Sequence, residues 1–121
     1  LAGLNGTQML LRVLPHAVAM KMLLTGELIS ADEALRYGLV SDLVEPASLM
    51  ETATMYAEKV AKAAPLSVQA AKQAAVLGQD MPLDHGILFA HLLWGMLRDT
   101  EDRKEGFKAF AEKRDPQWRG A

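Results

Sequence analysis

The hydropathy pattern is helical almost from end to end. Between Thr7 and Thr25, apolar residues fall at Met9, Leu10, Val13, Leu14, Val18, Met22 and Leu23, the i, i+3, i+4 spacing of one helix face. Pro15 interrupts that run. A proline has no amide hydrogen to donate and disfavours helix in the residue before it, so two short helices meeting near residues 14–16 are predicted. Ser30-Ala31-Asp32-Glu33 has the form of a capping box, in which the Ser30 hydroxyl takes the Glu33 amide and Glu33 reaches back. The helix it opens should run to about Tyr37, with Gly38 providing a left-handed exit. Leu39, Val40, Leu43 and Val44, bounded by Glu45-Pro46, suit one short extended segment.

Residues 47–64 form an Ala-rich stretch with Leu49, Ala53, Tyr56, Ala57 and Val60 on one stripe, stopped by Pro65. A further helix is predicted over 68–77, ended by Gly78-Gln79-Asp80. Pro82 is suited to a first turn, where its missing donor costs nothing. The helix after it, 83 to about 97, is apolar on most sides, through Ile87, Leu88, Phe89, Leu92, Leu93, Trp94 and Met96. Such a helix has to be covered on most sides, here by a partner chain or a further domain. Thr100 is a cap for the last helix, Glu101 and Asp102 face the positive end of its dipole, and Lys113-Arg114 sit at its negative end. Phe107, Phe110 and Ala111 are expected to be its inner stripe. The prediction is a mainly α chain of six to seven helices with one short extended segment.

Composition narrows the function classes. The chain has 121 residues, half of them apolar and 23% charged, which excludes extended disorder and suits one modest core. A net charge of −2 opposes sequence-independent nucleic-acid binding, which needs a phosphate-neutralising excess of Lys and Arg. With no cysteine, disulfides, thiolate metal sites and cysteine nucleophiles are excluded. No apolar run is long enough for a membrane span, so a soluble domain is expected. The opening LAGLNG has neither an initiator Met nor the regions of a signal peptide, and suggests a chain that begins within something larger.

Candidate chemistry is sparse. His85 and His91 are six residues apart, on different helix faces, and neither they nor His16 has a carboxylate cluster to complete a metal site. Ser30, Ser41, Ser48 and Ser67 have no nucleophile-elbow context. Glu101 and Asp102 are read as partners of the helix dipole rather than as a catalytic pair. Gly3-Leu4-Asn5-Gly6-Thr7 fits a tight turn, or a turn whose amides approach an anion or a carbonyl oxygen. By composition alone Trp94 is a core residue and Lys113 a solvated helix-end charge.

Taken together, GLNGTQMLLRVLP, AMKMLLTGELISADEALRYGLVSDLVEP and TEDRKEGFKAFAEKRDPQWRG resemble the C-terminal part of the enoyl-CoA hydratase/isomerase (crotonase) family, over nearly the whole chain. LLTG-x-x-IS-A-x-E-A-x-x-x-GLV is the most specific block, and DRKEGFKAF-x-EKR looks like the hydratase branch. The resemblance implies the C-terminal helical region of a crotonase-type α/β spiral, in a trimeric or hexameric enzyme. Residues 1–26 would be the turn and helices joining the spiral core. Residues 27–121 would be the helical region that covers acyl-CoA and builds the oligomer.

The implied reaction is hydration of a 2,3-enoyl-CoA, without metal or redox cofactor. Two glutamates would handle the water's protons and two amides would polarise the thioester carbonyl. By the same resemblance all four lie upstream of Leu1, so no catalytic group is expected within the chain. Gly3 matches the turn glycine beside the second glutamate, Trp94 an aromatic position near the CoA adenine, and Lys113 a lysine that approaches CoA phosphate, often across a subunit boundary. The family's usual Gly-x-Gly-Gly-Thr has Asn5 in place of a glycine, which a left-handed backbone tolerates. Ala90 stands where relatives commonly carry a carboxylate. The implied compartment is the cytoplasm or, in a eukaryote, the mitochondrion or peroxisome. The rival reading is a stand-alone helical oligomerisation or regulatory module that binds subunits and catalyses nothing.

Overall fold

The computed structural model describes residues 5–121. Among them are seven α-helices, a single 3-10 turn and no strand: α1 (Gly6–Val13), α2 (His16–Thr25), α3 (Ala31–Arg36), the turn Pro46–Ser48, α4 (Leu49–Ala61), α5 (Pro65–Gly78), α6 (Leu83–Met96) and α7 (Glu101–Glu112). The chain divides into two compact units, Leu1–Met50 and Glu51–Ala121.

In the first unit, Pro15 separates α1 from α2 as its chemistry requires. Leu14 adopts extended backbone ahead of it, is buried, and donates its amide to the Leu10 carbonyl. The Pro15 carbonyl accepts from the Ala19 amide and so opens α2, where Ala19 is fully buried. The capping box is present in full. The Glu33 amide donates to the Ser30 hydroxyl oxygen at 3.2 Å, and the Ser30 amide donates to the Glu33 carboxylate at 2.9 Å. Those bonds hold the Glu33 carboxyl below the ordinary glutamate range, the backbone bond from Ser30 contributing most. Gly38, at φ 76°, supplies the left-handed exit, and the Leu39 amide returns to the Ala34 carbonyl. The extended segment expected at 39–44 forms no ladder, because no strand stands beside it to pair with among the described residues.

In the second unit the prolines start helices more than they stop them. Pro65 is in the first turn of α5, three residues earlier than the hydropathy pattern places that helix, while Pro82 sits one residue before α6 as its N-cap. The Thr100 hydroxyl oxygen accepts from the Arg103 amide at 3.2 Å and caps α7. That helix ends at Lys113, whose φ of 54° is left-handed without a glycine.

The inner face of α7 is not the one hydropathy suggests. Phe107 and Phe110 are 67% and 86% exposed, and Ala111 is exposed as well. The buried residues are Asp102 and Ala109, and Gly106 lies between them on the same face at i+4 and i+7 spacing. Residues 113–121 decide this. They fold back along α7, where the Trp118 ring stacks on Gly106 and the Arg119 and Gly120 amides bind the Asp102 carboxylate. An apolar period cannot reveal a face made of Asp, Gly and Ala that is covered by a return of the chain.

Candidate functional site

The second unit carries an open groove of about 500 Å³ lined by Ser67, Trp94 and Leu97, by Arg103, Gly106, Phe107 and Phe110 of α7, and by Trp118. Each wall has a local origin. Trp94 and Leu97 come from the last turn of α6 and its C-cap. Arg103, Phe107 and Phe110 recur at i, i+4 and i+7 along α7, so they share one face. Trp118 comes from the returning tail, where its Nε1–H donates to the Lys62 carbonyl at 2.8 Å.

Within the described residues Trp94 is not enclosed. It is 61% exposed, and the Arg103 guanidinium lies 5.0 Å from its ring centroid and 5.5 Å from that of Phe107. The reason is placement at the end of α6, where the next residues turn toward α7 and leave the indole face open. A guanidinium over aromatic faces is worth roughly 0.5–1 kcal/mol at such a site, and it leaves a planar cation beside flat apolar walls. That arrangement suits a planar aromatic group carrying negative charge.

Lys113 does not line the groove. It lies exposed one helical turn beyond Phe110, whose carbonyl accepts its amide at 3.2 Å. Beside it a charge network locks the end of α7. The Arg114 guanidinium grips both Glu105 carboxylate oxygens at 2.6 and 2.9 Å and reaches Glu112 at 2.6 Å, while the Gln117 amide donates to Glu105 at 2.8 Å. The Glu105 carboxyl falls to about 2, chiefly through the Arg114 hydrogen bond and then through Gln117. This pairing neutralises the neighbouring charges and leaves Lys113 at the mouth of the helix end.

Gly3 lies outside the described residues. Asn5, two positions further on, is the N-cap of α1 at φ 70°, a left-handed backbone that asparagine tolerates better than most residues. The three histidines are exposed, and among the described residues no group of His, Asp and Glu could hold a metal ion. Nor is any described helix long and apolar enough to cross a membrane. Sequence reasoning missed Arg103, Phe107 and Trp118 as groove walls. The spacing of the first two was visible, but the side of α7 they occupy was not.

The class follows from comparison with known proteins. The model of the enoyl-CoA hydratase/isomerase family matches residues 1–121, and the chain belongs to that family. Among relatives, it is 77% identical over 121 residues to the (E)-benzylidenesuccinyl-CoA hydratase of Thauera aromatica, covering all of this chain and 47% of that protein. It is 42% identical over 118 residues to the 2,3-dehydroadipyl-CoA hydratase of Escherichia coli K12, with 98% of this chain and 46% of that one covered. An enoyl-CoA hydratase/isomerase structure from Mycobacterium paratuberculosis superposes with a TM-score of 0.93 at 36% identity, over 100% of this chain and 48% of that one. The helices are therefore those of the crotonase fold. The chain spans about half the length of the curated relatives it matches.

Proposed function

We propose that this chain is the CoA-binding, helical half of an acyl-CoA hydratase, and that the complete protein adds water across the 2,3 double bond of an enoyl-CoA. The observation carrying this reading is the 77% identity, over every residue of the chain, to a hydratase whose substrate is an aryl-substituted acyl-CoA. An acyl group with an aromatic ring is accordingly the substrate class we assign. The groove supports the reading chemically. The indole of Trp94 offers a stacking face for adenine and Arg103 sets a positive charge beside it. Lys113, exposed at the end of α7 and outside the groove, is the residue we assign to a CoA phosphate.

The division of labour follows from where the chemistry lies. Gly3 would stand beside the proton-transferring glutamate in the turn that opens the chain. The glutamates and the oxyanion-hole amides belong to the other half of the subunit, and neither metal nor redox cofactor enters this reading. The nucleotide end of CoA is remote from the double bond, so contacts at Trp94 and Lys113 serve to hold the thioester in register. Ile87, Leu88, Leu92 and Met96 on α6 are exposed in the isolated chain. In the assembled enzyme we assign their cover to the other half and to neighbouring subunits of a homo-oligomer.

Turnover separates the possibilities. The complete protein is expected to consume (E)-benzylidenesuccinyl-CoA, followed by loss of the conjugated enoyl absorbance, faster than a short aliphatic enoyl-CoA. The 121-residue chain alone is expected to consume neither. Sustained turnover by the short chain would place the proton chemistry within it and overturn this assignment; a complete protein inert toward both thioesters would overturn the hydratase reading.

A further inference from the structure

Asp102 is the one buried charged side chain among the described residues, only 3% exposed. Its carboxylate is taken up by main chain. Oδ1 accepts from the Arg119 amide at 2.7 Å and from the Gly120 amide at 3.2 Å, and Oδ2 accepts from the Gly120 amide at 3.0 Å. Its own amide donates to the main-chain oxygen of Ala121 at 3.1 Å. Gly120, at φ 71°, has the left-handed backbone that lets two successive amides point at one carboxylate. The residue immediately before this clamp is Trp118, the tail's contribution to the groove. Its ring is held from below by Gly106, where a Cβ would lie 3.4 Å from Cη2, and from the side by its hydrogen bond to the Lys62 carbonyl.

We propose that Asp102 is a positioning residue for nucleotide binding: by anchoring residues 119–120 it fixes the plane of Trp118, and with it the width of the groove that Trp94 and Arg103 share. The proposal rests on the reading of that groove as the CoA site. Asp102 does not itself line the groove. It is one helical turn from Gly106 on the buried face of α7, while Arg103, the next residue, points into the groove. One turn of helix thus holds the groove's cation on one side and the anchor of its opposite wall on the other. The burial of this carboxyl group is accommodated by those amides, which satisfy both of its oxygens and fix the direction of the tail as well as its distance.

The test uses the full-length protein, with Asp102→Ala and Asp102→Asn, and compares a CoA thioester with the matching pantetheine thioester, which lacks the nucleotide. Asp102→Ala is expected to raise KM for the CoA thioester about tenfold with kcat kept, and to leave KM for the pantetheine thioester within about twofold. Asn keeps one acceptor oxygen and is expected to fall between. Equal losses on both thioesters, or losses in kcat alone, would show a general structural role and overturn the proposal. Anchoring is read separately, without any ligand, from the tryptophan emission that belongs to Trp118, taken as the difference between the Trp94→Phe protein and its Trp94→Phe/Trp118→Phe counterpart. In that signal Asp102→Ala is expected to raise acrylamide quenching of Trp118 several-fold, and unchanged quenching overturns the proposal. If quenching rises while the wild type shows no difference in KM between the two thioesters, the anchor exists but the groove is not the nucleotide site, and the CoA reading falls with the proposal.

Discussion

The indole Nε1–H of Trp118 donates to the Lys62 carbonyl at 2.8 Å, joining residues 56 positions apart in the chain. Lys62 follows the last turn of α4, and its amide donates to the Glu58 carbonyl, so its own carbonyl is one of the acceptors that a helix end leaves without an intrahelical partner. The tail satisfies it and closes the second unit on itself.

Trp118→Phe removes the hydrogen bond and, with the outer indole ring, part of the contact to Gly106, while keeping an aromatic side chain at the position. A loss of roughly 0.5–1.5 kcal/mol is expected. Trp118→Ala also removes the ring packing and is expected to cost about 2–4 kcal/mol. Urea unfolding followed by far-ultraviolet circular dichroism should show the midpoint falling in that order at unchanged slope.

Ser30→Ala removes the hydroxyl that accepts the Glu33 amide. About 1 kcal/mol is the expected loss, read as faster amide exchange through α3, whose six residues have little other local support. Adding Glu33→Ala to Ser30→Ala should cost less than the sum of the single changes, because the two side chains complete one another's bonds.

Glu105 links stability to acid. Its folded-state value, about 2, lies below the ordinary glutamate value of 4.5, so the folded form holds its proton less tightly than the unfolded chain. The stabilisation it gives is complete above about pH 4.5 and disappears as pH falls through about 2. Glu105→Gln is therefore expected to be less stable than wild type at neutral pH, the gap closing between pH 4.5 and 2. Carboxyl-carbon NMR of Glu105 in the folded protein should titrate with a midpoint near 2; a midpoint near 4.5 would contradict the Arg114 and Gln117 contacts.

Lys113→Ala tests the phosphate assignment. KM for a CoA thioester is expected to rise roughly tenfold, equivalent to about 1.4 kcal/mol, with kcat unchanged. The difference should shrink as salt is added, since an exposed charge pair is screened. A KM effect equally large at high salt would point instead to lost packing.

The sequence by itself determined where those helices with strong local signals begin and end, whereas α5 starts three residues ahead of its hydropathy pattern. Pro15, the Ser30–Glu33 box, Gly38 and Thr100 act through bonds that close within about four residues, so their meaning survives without knowledge of the rest of the chain. The motif blocks around these signals also carried the family resemblance. Which side of a helix faces inward was a different matter. Phe107 and Phe110 lie in the open and Asp102 inside because residues 113–121 return along α7, and Trp94 is uncovered because α6 ends beside it. Those outcomes depend on contacts between positions far apart in the chain, which local periodicity does not encode. The groove is assembled from α6, α7 and the tail, and only the tertiary structure brings those three together.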